Sequence, residues 1–282
     1  GEGANFTHPS FRRSRMAKEI TELRLAVTGA ARGIGSVIAA EPSSSAAHVA
    51  ICDKDAERVQ AFAADHEDIF AMVANVSEEA DVINFCNGVE AKLGGLDALI
   101  NNAGIAGLMT SLEQFDFADW QETISVNLNG TFLCSKEAIP MLRAAGGGSI
   151  INIGSTSSFF GTPLRSAYSA TKWALIGLTK TWAMEYGHEN IRVNAICPGS
   201  VNGPRIERVI KEEANERDTD PSVVKEAYLN QTSMQTFIDP EEIVGMVKYL
   251  LSPIAHKVSG QAIAIDGHTE SLSQIRIAKE DT

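Results

Sequence analysis

Tyr168 and Lys172 stand four residues apart in the run Tyr168-Ser169-Ala170-Thr171-Lys172. From Ser166 to Thr181 and on to Trp182, Leu175, Ile176 and Leu178 recur near the helical period, so the spacing predicts a helix. Side chains at i and i+4 share a helix face, which aims the Tyr168 hydroxyl and the Lys172 ammonium at one place. A free tyrosine has a pKa of about 10 and is a poor base near neutral pH. A neighbouring cation favours the phenolate, and lowering the pKa by about three units requires roughly 4 kcal/mol. A lysine together with a cationic cofactor ring can supply that. The bland alternative is the solvent face of an ordinary amphipathic helix. The rest of the chain has to decide.

Size and composition narrow the field. The 282 residues suffice for one large α/β domain or two small ones, and a 44% hydrophobic content allows a sizeable core. No apolar run reaches the length of a membrane span. A formal net charge of -12 and a pI near 5.0 argue against nucleic acid or an anionic membrane as partner. Cys52, Cys86, Cys134 and Cys197 lie far apart and read as free thiols in a reducing, cytoplasmic compartment. The histidines show no ligand spacing, so no metal site is expected. Residues 1–15 are polar and carry Arg12, Arg13 and Arg15. They do not make a secretory signal, and with Met16 as a natural start they read as an added leader.

Strands and helices alternate from there. Leu23 to Thr28 is a short apolar strand, followed at once by Gly29-Ala30-Ala31-Arg32-Gly33-Ile34-Gly35. A glycine-rich turn between strand and helix lets the backbone approach a pyrophosphate at the helix N-terminus. Pro42, before three serines, predicts that this helix stops or kinks near Glu41, leaving a loop to Ala47. His48 to Cys52 is the second strand. It ends in Asp53, at the right distance to take adenosine ribose hydroxyls or simply to form a strand-end turn. A carboxylate there repels a 2′-phosphate and favours NAD, whereas Arg32 and Lys54 favour NADP. Ile69 to Val73 is a third strand, ending in Asn75-Val76. Ser77 then reads as the N-cap of a helix from Glu78 to Leu93. A fourth strand, Asp97 to Ile100, runs into Asn101-Asn102-Ala103-Gly104, which suits either a ligand crevice or a turn. Asn127 lies inside a helix expected from Trp120 to Ala144. It must bind water, bind backbone or face solvent. Ser149 to Ile153 is a fifth strand, with Ser155 in the serine-rich turn after it. Ile191 to Ile196 is a sixth strand, closed by Pro198-Gly199. Charged helices from Arg205 to Glu216 and Pro221 to Leu229 lie in a segment, 203–235, placed where a substrate lid would sit. Asp239-Pro240 opens a helix to Leu251, and Gln261 to Ile265 is the last strand. Residues 268–282 form a polar tail. No repeat or linker divides 16–267, so a single domain is expected.

The order of glycine loop, Asn-Asn-Ala-Gly, late serine and YxxxK resembles the short-chain dehydrogenase/reductase family from about Leu23 to Gly267. The resemblance implies a Rossmann-type, doubly wound α/β fold with seven parallel strands, assembled as a homotetramer or homodimer. It implies cofactor contacts from Gly29, Arg32, Gly33, Ile34, Gly35, Asp53, Asn75 and Val76. Further contacts are implied from Asn102, Ala103, Gly104, Pro198, Gly199 and Val201. Tyr168 is implied as acid/base, and Lys172 as lowering its pKa and binding the nicotinamide ribose. Ser155 is implied to hold the substrate oxygen, and Asn127 to anchor a proton-carrying water. Gly203 stands where many members carry a threonine, which puts that contact in doubt.

The expected activity is hydride transfer between NAD, with NADP second, and a small alcohol or ketone. A polyol, sugar or cyclic alcohol is the family-guided guess. An NADPH-dependent 3-oxoacyl-[acyl-carrier-protein] reductase is the alternative within the enzyme class, and a non-catalytic dinucleotide sensor lies outside it. Phe159, Phe160, Leu108 and Met109 offer apolar walls, and Arg165, Arg205 and Arg208 offer contacts for an anion; plain packing accounts for each equally well.

Overall fold

The computed structural model describes residues 22–43 and 48–272. The leader expected at 1–15, the loop expected into Ala47 and most of the segment expected as a polar tail fall outside them.

Seven strands form one sheet: β1 (Arg24–Thr28), β2 (His48–Asp53), β3 (Ile69–Val73), β4 (Ala98–Asn101), β5 (Gly148–Ile153), β6 (Ile191–Pro198) and β7 (Ala262–Ile265). Every pairing is parallel, in the order β3-β2-β1-β4-β5-β6-β7. A parallel sheet needs crossovers that cover both faces, and β1 shows the result. Leu25 and Val27 point into one apolar cluster, with α1 (Gly33–Ser43) and α9 (Pro240–Leu251). Ala26 points into the other, with α3 (Glu79–Leu93), α5 (Gly130–Ala144) and flanking residues of α6 (Ser166–Tyr186). β2 alternates likewise: Val49 and Ile51 on one side, Ala50 and Cys52 on the other. Fully burying one large apolar side chain such as Phe85 contributes about 1.5–3 kcal/mol.

Strand order reverses between β1 and β4, which are neighbours although β2 and β3 intervene in sequence. Crossovers leave to opposite sides there, so a crevice opens beyond the carboxyl ends of these strands. Thr28-Gly29 and Asn101-Asn102 stand at its mouth.

Three local readings change. The helix after the glycine loop runs through Pro42 to Ser43, two residues past the expected stop. Ser77 is not a cap. Glu78 holds that position without a side-chain bond, and the Ser77 hydroxyl donates to Asn75 Oδ1 at 2.9 Å. A helix the pattern did not announce, α2 (Ala56–Asp65), follows β2. Asp55 caps it by accepting from Arg58 N at 3.2 Å, and only Val59 and Phe62 are buried along it.

The long helix expected from Trp120 is two helices fused through an irregular turn. α4 (Phe117–Ile124) starts where Asp116 accepts from Ala118 N at 2.9 Å. Ser125–Asn129 then winds as a π turn into α5. Farther on, α7 (Pro204–Glu216) and α8 (Pro221–Leu229) pack on each other through a small cluster of Ile210, Ala214 and Val224. Among the described residues no helix is long and apolar enough to cross a membrane.

Candidate active site

α6 carries both Tyr168 and Lys172, and the helix predicted around them is present. Lys172 is 5% exposed, and its ammonium donates to Ile153 O, at the end of β5, at 2.8 Å. It lies 5.5 Å from the centre of the Tyr168 ring. Burial pushes the Lys172 pKa down, while the charge of Tyr168 holds it up against that. Burial would raise the Tyr168 pKa, but Lys172, Arg205, a hydrogen bond from Ser155 and Arg165 together outweigh it. The phenol therefore ionises below its ordinary value. Solvent-face residues would show none of this.

Ser155 is set by the turn after β5. Its hydroxyl accepts from Ser157 N at 3.2 Å, and Ser158 Oγ accepts from Ser155 N at 3.3 Å, a reciprocal cap on a single tight turn. Gly154 just before it is needed for packing: a Cβ there would lie 2.7 Å from Cys197 Sγ.

Asn127 does not face solvent, and its binding to backbone is seen directly. Its side chain is 1% exposed and binds backbone: Oδ1 accepts from Ile105 N at 2.8 Å and Nδ2 donates to Ile105 O at 2.9 Å. Nδ2 also donates to Thr171 Oγ1 at 3.2 Å, which ties the π turn to the residue beside Lys172. Gly104 lies in the same corner. A Cβ added there would be 3.4 Å from Asn127 Oδ1 and 3.8 Å from Lys172 Nζ. Asn127, Ser155, Tyr168 and Lys172, 45 residues apart at their extremes (172 less 127), thus converge at one end of the crevice.

The other end is the glycine loop. Gly29 has φ +60°, and a Cβ there would come 2.6 Å from Ala103 Cα, so only glycine fits. Gly35 allows α1 to close on the loop, since a Cβ would lie 2.7 Å from Gly29 O. Gly33, also at φ +60°, meets nothing within 4 Å and is exposed with Arg32. The first turn of α1 therefore presents an open backbone, the kind of surface that accepts a phosphate. The Asn102 side chain is committed elsewhere, donating to Thr28 O at 3.0 Å and Gly29 O at 2.8 Å. Thr28 Oγ1 answers by accepting from Asn102 N and Ala103 N, both at 3.1 Å. Thr28 and Thr171 have roles that residue type alone did not signal.

Asp53, 9% exposed at the end of β2, accepts from Asp55 N at 3.2 Å and Ala31 N at 3.4 Å. Asn75 Oδ1 is held by Ser77, and Val76 is buried where a Cβ on Gly130 would lie 2.7 Å from its Cγ2. Pro198 pairs with Ile265, Gly199 N donates to Ile265 O at 2.9 Å, and Val201 bridges to Ile238. Gly203, at φ +137°, has backbone geometry that a threonine would adopt only under strain. Of the residues considered for substrate, Arg208 is paired with Glu212 on the exposed side of α7, and Leu108 is 45% exposed. Among the described residues no group of three histidines, cysteines or acids could hold a metal ion.

Comparisons with known proteins give the family and agree with the fold. Residues 24–214 match the short chain dehydrogenase family. The chain is 35% identical over 256 residues to 2-(S)-hydroxypropyl-CoM dehydrogenase 3 of Xanthobacter autotrophicus, covering 89% of this chain and 98% of that protein. It superposes on NAD+-bound xylitol dehydrogenase with a TM-score of 0.82 at 28% identity, covering 87% of this chain and 97% of that one. It superposes on an actinorhodin polyketide ketoreductase variant with NADPH at a TM-score of 0.83 and 26% identity, covering 89% and 98%. The chain belongs to the short-chain dehydrogenase/reductase family, oxidoreductases of secondary alcohols and ketones on an NAD(P)-binding Rossmann-type fold.

Proposed function

We propose that the protein is an NAD-dependent oxidoreductase of a small secondary alcohol or its ketone, with Tyr168, Lys172, Ser155 and Asn127 as its working set. The observation that carries this reading is the buried Lys172 ammonium, anchored on Ile153 O and 5.5 Å from the centre of the Tyr168 ring, where its charge favours the phenolate.

A bound nicotinamide supplies the hydride acceptor or donor. The protein's share is to place the alcohol carbon and manage its proton. In oxidation, the Tyr168 phenolate takes the proton from the substrate hydroxyl as the C–H electron pair leaves. Ser155 donates to the same oxygen and holds it in line. Lys172 keeps the phenolate stable by its charge, and Asn127 holds the 105 segment against Thr171 so that Lys172 keeps its place. In reduction the phenol gives its proton back. The open first turn of α1 fits the cofactor phosphates, Gly29 and Gly33 shape their loop, and Asp53 fits the adenosine ribose.

Asp53 supports NAD, since its carboxylate at the strand end repels a 2′-phosphate. Arg32 supports NADP: it is exposed beside the loop, and no described carboxylate pairs with it. Measuring kcat/KM with each cofactor decides between them.

Assembly as a homodimer or homotetramer is supported by Phe132 on α5 with Trp173 and Met184 on α6, all 49% exposed or more. Light scattering checks it. All four cysteines are buried free thiols, which suits a reducing, cytoplasmic setting.

The test is Tyr168→Phe, which keeps the ring and removes the proton carrier. Turnover of an alcohol panel with NAD, followed by absorbance of the reduced cofactor, is expected to fall at least about 100-fold with cofactor affinity unchanged. Full turnover in this variant would end the assignment.

A further inference from the structure

The core holds a row of polar side chains that the proposed working set does not include. Asn101 ends β4 and is the register partner of Asn152 in β5. Asn101 Nδ2 donates to Asn152 Oδ1 and to Ser135 Oγ of α5, both at 2.9 Å. Asn152 Nδ2 donates to Thr179 Oγ1 of α6, also at 2.9 Å. Each of the four residues is at most 4% exposed. The row thus runs from α5 across two strands to α6. A shorter link of the same kind joins Asn127 to Thr171. Ser135 and Thr179 lie eight residues beyond Asn127 and Thr171 respectively, so the two links are rungs about two turns apart.

Stability does not call for such a row. Buried polar partners can be exchanged for apolar groups of the same shape with little loss. This row also leaves Asn101 Oδ1 buried with no hydrogen-bond partner among the described residues. What hydrogen bonds add is direction, because apolar contact fixes no particular register. α6 has little else to fix it. Its buried residues are Ala167, Thr171, Lys172, Leu175 and Thr179, of which Leu175 alone is large and apolar. Lys172 and Thr179 are seven residues apart, close to two turns, and so share a face. A slip of one residue along α6 would carry Lys172 about 1.5 Å. That is enough to break its 2.8 Å bond to Ile153 O. Ile153 directly follows Asn152, so the strand grips Thr179 and accepts from Lys172 at adjacent residues. Asn101 likewise stands directly before Asn102, which holds the glycine loop.

We propose that the row Ser135, Asn101, Asn152 and Thr179 is a positioning device: it sets α6 against β5 so that Lys172 meets Ile153 O and stands beside Tyr168. This rests on the oxidoreductase reading and adds to it residues that act through Lys172.

The test is Thr179→Val, which keeps the side-chain shape and removes the acceptor, beside Thr179→Ser, which keeps the hydroxyl. Ionisation of Tyr168 is read without turnover, as the phenolate absorbance of each protein less that of its Tyr168→Phe counterpart through a pH titration. With Lys172 displaced, the midpoint in Thr179→Val is expected to rise by about 0.5 in pH or more. The kcat of oxidation is expected to fall about tenfold or more. Thr179→Ser is expected to restore both. Ser135→Ala cuts the row at its other end and is expected to move the midpoint the same way. Arg165 before α6, Arg205 on α7 and Cys197 on β6 also bear on Tyr168 or Lys172. A Lys172→Met background isolates the lysine, and there Thr179→Val is expected to leave the midpoint where it is. The proposal is overturned by an unmoved midpoint in Thr179→Val or, where that variant does not fold, in Ser135→Ala. A shift of equal size without Lys172, or one that Thr179→Ser does not undo, would overturn it as well. A shift through Lys172 in a protein whose Tyr168→Phe variant keeps full turnover would uphold the row and sink the catalytic reading instead.

Discussion

The floor of the crevice and the helices beside it are fastened in different ways. On the floor three candidate groups are held by neighbours from another element: Lys172 by Ile153, Asn127 by Ile105 and Thr171, Asn102 by Thr28 and Gly29. α7 and α8 instead share a cluster of only three buried residues and one buried polar knot, Glu213 with Tyr228 and Arg217. A floor bound in this way is formed before any ligand arrives, which is what proton transfer needs. Weakly anchored helices are drawn from the low-stability end of a fold and can adapt. The division predicts that floor substitutions strike kcat, while substitutions on α7 and α8 strike KM.

Lys172→Met is the strongest attempt to break it. Turnover is expected to fall about a thousandfold, and the midpoint of the rising limb of the pH–rate profile in oxidation to move to higher pH, because loss of the cation raises the Tyr168 pKa. Burial already disfavours the lysine charge, so the melting temperature is expected to hold within about 2 °C. A fall of 10 °C with normal turnover would show Lys172 to be structural. Asn127→Ala comes next. It strips three hydrogen bonds and leaves the Ile105 amide and carbonyl unmet, at a cost of about 1–3 kcal/mol. Both the melting temperature and kcat are expected to drop, kcat by about tenfold or more.

The pH profile of the unsubstituted protein is a milder probe. Oxidation needs the phenolate, so its rate is expected to rise with pH through a midpoint below 10, the ordinary tyrosine value, and reduction to fall through the same range. A midpoint at or above the ordinary value would contradict the role given to Lys172. The smallest effect is expected from Tyr228→Phe, which removes the 2.9 Å bond to Glu213. KM should rise a few-fold with kcat unchanged; an equal loss in kcat would erase the distinction between floor and neighbouring helices.

Much of the floor was legible in the sequence because it depends on residue spacing along single elements. Tyr168 and Lys172 share a helix face whatever surrounds them, and the glycines of the first turn announce a bend that other residues resist. What escaped depends on partners distant in sequence. Thr28 looks like any strand-end threonine until the 102–103 backbone arrives, 74 and 75 residues later. α2 buries only two side chains, too few to set up a clear period. Ser77 looked like a cap because its type suits one, but Asn75 two residues earlier took its hydroxyl. Asn127 was visible as a misfit in a helix, but its purpose lay in the backbone of Ile105.

The π turn around Asn127 has a geometric consequence. One residue more than a regular turn holds shifts the faces of α4 and α5 by about 100° relative to each other. A straight rod would show one stripe to one neighbour. Here Thr123 of α4 lies against the 105–110 segment, where a Cβ on Gly107 would be 2.6 Å from its hydroxyl. Cys134, Ala138 and Leu142 of α5 meanwhile face the sheet. Deleting a single residue between 125 and 129 would give a more regular helix, but one able to satisfy only one of those two neighbours.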